Sequence, residues 1–133
     1  MQLAPYLNFD GTCAEAFRFY GEVFGGRPEL MRPEEMPDGG GMGPEWHGRV
    51  MHASLDLGGQ QLMGSDSPPG RHEGMRGMHV SVHVDDVEEG RRLFDRLQDG
   101  GSVTMPFEQT FWSPGFGMLV DRFGTPWMVN TGG

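Results

Sequence analysis

Five histidines, one cysteine and nineteen carboxylates supply this chain's acid–base and ligating chemistry, and their spacing decides what they can do. His79, Ser81 and His83 alternate along the sequence, as do His52, Ser54 and Asp56. In an extended chain, alternate residues share a face, so each triplet would present its polar groups on one side of a strand. Imidazole titrates near neutrality, which makes His79 and His83 candidates for hydrogen bonding to a ligand or for a general base. His52 and Asp56 offer a second acid–base pairing, and an ordinary solvated face accounts for the same residues. Cys13 reads either as a nucleophile or as a small residue near a helix start. No Ser-His-Asp order and no nucleophile elbow is visible. Met63, Met128, Phe111, Trp112 and Phe116 would add apolar and aromatic wall, or would simply be core. A cavity with many apolar and few polar groups suits a small organic ligand.

Strands must carry both triplets. Val80, Val82 and Val84 interleave with the second triplet, and Met51, Ala53, Leu55 and Leu57 with the first. These apolar faces are expected to meet helices, leaving the polar faces outward or lining a cavity. Along the chain, a strand at 3–9 precedes a helix capped by Thr12, with Glu15 completing a capping box. Gly25-Gly26 end that helix. A weak strand at 27–32, a glycine-rich mobile loop at 33–46, and strands at 48–57 and 60–65 about a Gly58-Gly59 turn follow. The pattern then restarts, with a strand at 78–84, a helix at 87–98, and strands at 102–105, 110–113, 117–121 and 125–130. The expected organisation is one module at 1–66, a linker at 67–77 and a second module at 78–133. The repeat is one of architecture, and one helix per several strands argues for α+β.

Composition narrows the classes. The formal charge of −9 argues against nucleic-acid and anionic-membrane partners, which call for a basic surface. No apolar run approaches the roughly 20 residues that span a bilayer. The opening Met1-Gln2-Leu3-Ala4-Pro5 lacks the basic and apolar regions of a signal peptide, and the single cysteine fits a reducing compartment, so a cytoplasmic protein is expected.

Three segments carry a family likeness. They are Pro5-Tyr6-Leu7-Asn8-Phe9 with Ala16-Phe17-Arg18-Phe19-Tyr20-Gly21-Glu22-Val23-Phe24-Gly25-Gly26; Leu57-Gly58-Gly59-Gln60-Gln61-Leu62-Met63-Gly64-Ser65-Asp66; and Phe111-Trp112 with Asp121-Arg122-Phe123-Gly124-Thr125-Pro126-Trp127. Together they resemble the PhnB-like branch of the vicinal-oxygen-chelate superfamily of glyoxalases, bleomycin-resistance proteins and dioxygenases. The resemblance implies paired βαβββ modules with open, curved sheets around a cavity, and a homodimer. It also implies a divalent metal held by His or Glu at four positions. Here those positions fall on Pro5, on the stretch Gln61-Leu62-Met63, on His79 and on Met128. Only His79 is a usual ligand, so no metal and no other cofactor is expected.

Three functions follow. The first is a small organic molecule bound without metal, with or without catalysis, by His52, Ser54, Met63, His79, Ser81, His83, Phe111, Trp112, Phe116 and Met128. The second is a metal-dependent lyase, isomerase or dioxygenase drawing on His52, His79 and His83. The third is a dimer with no ligand at all. Methyl transfer, a label given to relatives, is disfavoured, because the first turn, Asp10-Gly11-Thr12-Cys13, has one glycine and the strand–helix order is not that of a doubly wound sheet.

Overall fold

The computed structural model describes residues 1–132 and divides into two compact units, Met1–Gly74 and one from Met75 onward. Each is a βαβββ module, as expected. The first contains β1 (Tyr6–Phe9), α1 (Cys13–Phe24), β2 (Pro28–Met31), β3 (His52–Leu57) and β4 (Gln60–Asp66). The second contains β5 (Val80–Val84), α2 (Val87–Leu97), β6 (Ser102–Glu108), β7 (Phe116–Val120) and β8 (Pro126–Thr131). Their sheets run β1-β4-β3-β2 and β5-β8-β7-β6, and neither is closed. The outer pairs β1–β4 and β5–β8 are parallel and the rest antiparallel, so the helix of each module makes the crossover that parallel strands require.

Alternation decides which sheet face meets the helix. Ala16, Phe17, Tyr20 and Val23 of α1 are buried with Leu7, Phe9, Ala53, Leu55 and Leu62. Phe17 meets Phe9 and Tyr20 edge-on at 6.2 and 5.7 Å. It lies so close to β4 that a side chain at Gly64 would stand 2.9 Å from its ring and 2.6 Å from the Leu7 carbonyl oxygen. In the second module Leu93, Phe94 and Leu97 of α2 are buried with Leu119, Trp127 and Val129.

The helices begin differently. Asp86 caps α2 locally, its carboxylate accepting from the Glu89 N–H at 3.1 Å. The capping box expected at Thr12 is absent. Thr12 sits at φ −106°, ψ 9°, away from the extended conformation that aims a cap, and its side chain makes no cap hydrogen bond. Asp66, at the end of β4, does the work instead. Its Oδ1 accepts from the N–H groups of Gly11 (2.8 Å) and Cys13 (3.1 Å), and its Oδ2 from Val50 N–H (2.8 Å).

The structure refines further expectations. The strand expected from 78 begins at Val80, leaving His79 before it. The segment 110–113, expected as a strand, is a turn in which Thr110 N–H donates to the Ser113 carbonyl and Ser113 N–H to Thr110 Oγ1. Side chain–backbone bonding of this kind competes with strand pairing. The preceding strand instead runs on to Glu108, tolerating Pro106 because β6 is an edge strand with an irregular register. The glycine-rich segment expected as a mobile loop contains two short 3-10 turns, Pro33–Glu35 and Pro44–Trp46, each opened by a proline, on either side of a left-handed stretch at Asp38, Gly39 and Gly40.

Candidate functional site

With one face of each sheet taken by its helix, the chemistry lies on the other. In the first module Tyr6, Met63, Ser54 and Glu29 line up in register across β1, β4, β3 and β2. His52 is the next residue of that face on β3, and Asn8 and Ser65 lie beside it on β1 and β4. The Tyr6 side chain crosses β4 to reach His52, with 3.2 Å between the Tyr6 oxygen and His52 Nδ1 and 5.8 Å between ring centroids. His52 therefore pairs with Tyr6 and not with Asp56, four residues along the strand, whose carboxylate accepts the Gly59 N–H at 2.9 Å and holds the hairpin turn.

In the second module two rows cross the helix-free face. One is Ser81–Met128–Met118–Met105 and the other is His83–Asn130–Phe116–Glu108. Trp112 packs edge-on to Phe116 at 5.4 Å, and Phe111 on Trp112 at 4.8 Å. Phe111 is 97% exposed and Trp112 52% exposed at the tip of the 110–113 turn. His83 Nε2 lies 3.9 Å from Asp85 Oδ1.

The expected site residues thus fall into two sets. His52, Ser54 and Met63 share the first face. Ser81, His83, Phe116 and Met128 share the second, with Trp112 stacked on it and Phe111 beyond. His79 is exposed and outside the alternation of β5, so it does not join Ser81 and His83 in the rows. Sequence reasoning passed over Tyr6 and Asn130. Tyr6 alternates with the core residues Leu7 and Phe9, a signal that was available. Nothing local to Asn130 pointed to its row, because the partners His83 and Phe116 come from other strands.

Cys13 is buried at the start of α1. Burial, reinforced by the neighbouring Asp66 carboxylate and only partly offset by Arg32, pushes its thiol up to about 12. A thiol so held stays protonated near neutrality, which removes the nucleophile reading.

The four positions at which the family resemblance implies a metal carry a proline (Pro5), a strand with Gln61 and Met63, the exposed His79, and Met128. Among the described residues no three His, Cys, Asp or Glu side chains come together as a metal site would need. This donor set does not fit a divalent ion of the Zn, Ni or Fe kind. No helix among the described residues is long and apolar enough to cross a membrane.

Comparison with known proteins agrees with the paired βαβββ architecture. The sequence pattern of the Glyoxalase/Bleomycin resistance protein/Dioxygenase superfamily matches residues 2–129. Protein YjdN of Escherichia coli K12 is 33% identical over 141 residues, covering 98% of this chain and 95% of YjdN. The crystal structure of protein PA1353 from Pseudomonas aeruginosa is 44% identical with a TM-score of 0.90, covering 99% of this chain and 98% of that one. A Bacillus cereus PhnB protein, named a putative 3-demethylubiquinone-9 3-methyltransferase, is 28% identical with a TM-score of 0.80, covering 98% of this chain and 99% of that one.

Proposed function

Because the chain belongs to the Glyoxalase/Bleomycin resistance protein/Dioxygenase superfamily, among its PhnB-like members, we propose that it binds a small organic molecule on a helix-free sheet face and does so without the usual metal. The observation that carries this reading is the second module's face. There a row of three thioethers, Met128, Met118 and Met105, runs beside His83, Asn130 and Phe116. Apolar surface with a few placed polar groups is what a small-molecule site offers. Thioethers adapt their shape and make favourable contacts with aromatic rings. His83 serves as a hydrogen-bonding partner or a general base, and His79 has at most a peripheral part.

Methyl transfer is not part of this reading. Each four-stranded sheet has a single parallel pair, and neither has the doubly wound order that presents a glycine-rich turn to a nucleotide-like cofactor. The single cysteine supports a reducing, cytoplasmic setting. Exposed Leu3, Phe111 and Trp112, together with the edge strands each open sheet leaves, support a homodimer.

The test is mass spectrometry of a copurifying ligand from untagged protein prepared without chelators, with elemental analysis of the same sample. An organic ligand whose binding weakens in His83→Ala supports the reading. About one Zn, Ni, Fe or Mn per chain, lost on replacing His79, would restore a metalloenzyme. Sedimentation as a monomer at micromolar concentration would remove the dimer.

A further inference from the structure

Among the described residues one buried side-chain oxygen or nitrogen has no hydrogen-bond partner, and it is Oδ1 of Asn130. Buried polar atoms are nearly always paired, because an unpaired one forfeits its hydration with nothing in return. The position of this atom is informative. The neighbours of Asn130 on β8, Val129 and Thr131, are buried on the helix side, with Thr131 against Gly90 of α2. Asn130 points the other way, in register with His83 on β5 and Phe116 on β7. Met128 follows it on the same face, with Met118 opposite Met128. Trp112 stands edge-on against Phe116 at 5.4 Å.

We infer that Asn130 Oδ1 receives a hydrogen bond from the ligand, and that the ligand is an aromatic molecule carrying an N–H or O–H; this rests on the small-molecule reading above. Each part of the class follows from a neighbour. A carbonyl oxygen only accepts, so the ligand must donate. The ring faces and edges of Phe116 and Trp112, with the thioethers of Met118 and Met128, favour a flat aromatic partner.

Indole and 1-methylindole test the inference, because they share a ring system and only indole can donate. Both are titrated into the full-length protein while the Asn130 side-chain amide and the Trp112 indole are followed by NMR. Indole is expected to bind about threefold to tenfold more tightly than 1-methylindole, the worth of one hydrogen bond. In Asn130→Leu both probes should bind alike, and in Asn130→Asp, which keeps the acceptor, the preference for indole should persist. Equal binding to the wild type, or a preference that survives in Asn130→Leu, overturns the inference and leaves the small-molecule reading standing. Failure of both probes to perturb either signal also overturns the inference, and the copurifying ligand then decides the small-molecule reading by itself. The wild-type ratio decides the matter even if a variant fails to fold.

Discussion

In the first module the start of α1 is held by Asp66, a residue more than fifty positions away in sequence; in the second, α2 is capped by Asp86, the residue directly before it. The second module is local in its turn as well. Asp121 of the second module folds its own turn, accepting from Phe123 N–H, Thr125 N–H and the Trp127 indole N–H at 2.9, 3.0 and 2.8 Å. Each module therefore rests on one buried carboxylate serving three N–H donors, spent on helix entry in one and on a strand turn in the other. The helix-free faces differ too. The first satisfies its histidine internally through Tyr6, whereas the second leaves a buried acceptor unpaired. One architecture thus gives one self-satisfied face and one that lacks a partner, and the second is the better candidate for recognition.

Breaking the two carboxylates should have the largest effect. Asp66→Ala and Asp121→Ala each strand three N–H groups, and an orphaned buried donor costs about 1–3 kcal/mol. Each variant is expected to lose at least about 3 kcal/mol in denaturant unfolding. A loss below about 1 kcal/mol in either would show that the anchor is not shared. Glycine contacts come next. A Cβ at Gly64 meets Phe17 and the Leu7 carbonyl, and one at Gly117 meets Phe94 at 2.7 Å and Phe107 backbone at 2.9 Å. Gly64→Ala and Gly117→Ala should each cost about 1–3 kcal/mol, the usual penalty for overpacking. Matching losses would mark the helix–sheet contact as equally tight in both modules.

The local cap explains how much was legible beforehand. Asp86 and Glu89 lie three residues apart ahead of an apolar helical stripe, so the start of α2 could be read directly. Alternation placed Ala53 and Leu55 inward and His52 and Ser54 outward on β3 without any structure. The cap of α1 misled because Thr12 and Glu15 fit a local pattern while the actual acceptor, Asp66, is set by strand pairing. Tyr6 and His52 likewise meet only because β4 lies between β1 and β3, an order that spacing along the chain does not encode. Asn130 was missed for the same reason, and Phe111 and Trp112 were given to a strand although Thr110 and Ser113 bond each other into a turn.

Cys13 sharpens the contrast at the helix starts, since the first turn of α2 has no thiol. The thiol's raised value means that the folded state keeps a proton the unfolded chain releases above its ordinary value of 9.0. The unfolded state then binds fewer protons, so stability falls as pH rises from 9.0 toward about 12 and is fully present below that window. Cys13→Ala should remove this part of the alkaline loss when unfolding is measured across the window. At pH 8 a disulfide reagent should label the native wild type slowly and the denatured chain at once; fast native labelling would contradict the burial.

The smallest effect on stability, and the most telling, should separate the two helix-free faces. Tyr6→Phe removes a hydrogen bond between partly exposed groups, whose net worth is about 0.5–1 kcal/mol at most, so a slight loss is expected. Asn130→Leu replaces an acceptor that has no partner by an apolar group of similar size, in a row flanked by Met128 and Phe116. Nothing is orphaned by that change, and the desolvation cost of the amide is relieved. The variant is therefore expected to be more stable than wild type by up to about 1 kcal/mol in the absence of ligand. Gains of this kind are found where a residue is kept for function at the expense of stability. Melting curves without ligand decide it. A rise for Asn130→Leu beside a small fall for Tyr6→Phe would fit one face paired within itself and one with an acceptor left unpaired. A clear fall for Asn130→Leu would mean that Asn130 has a partner in solution, and the difference between the faces would be gone.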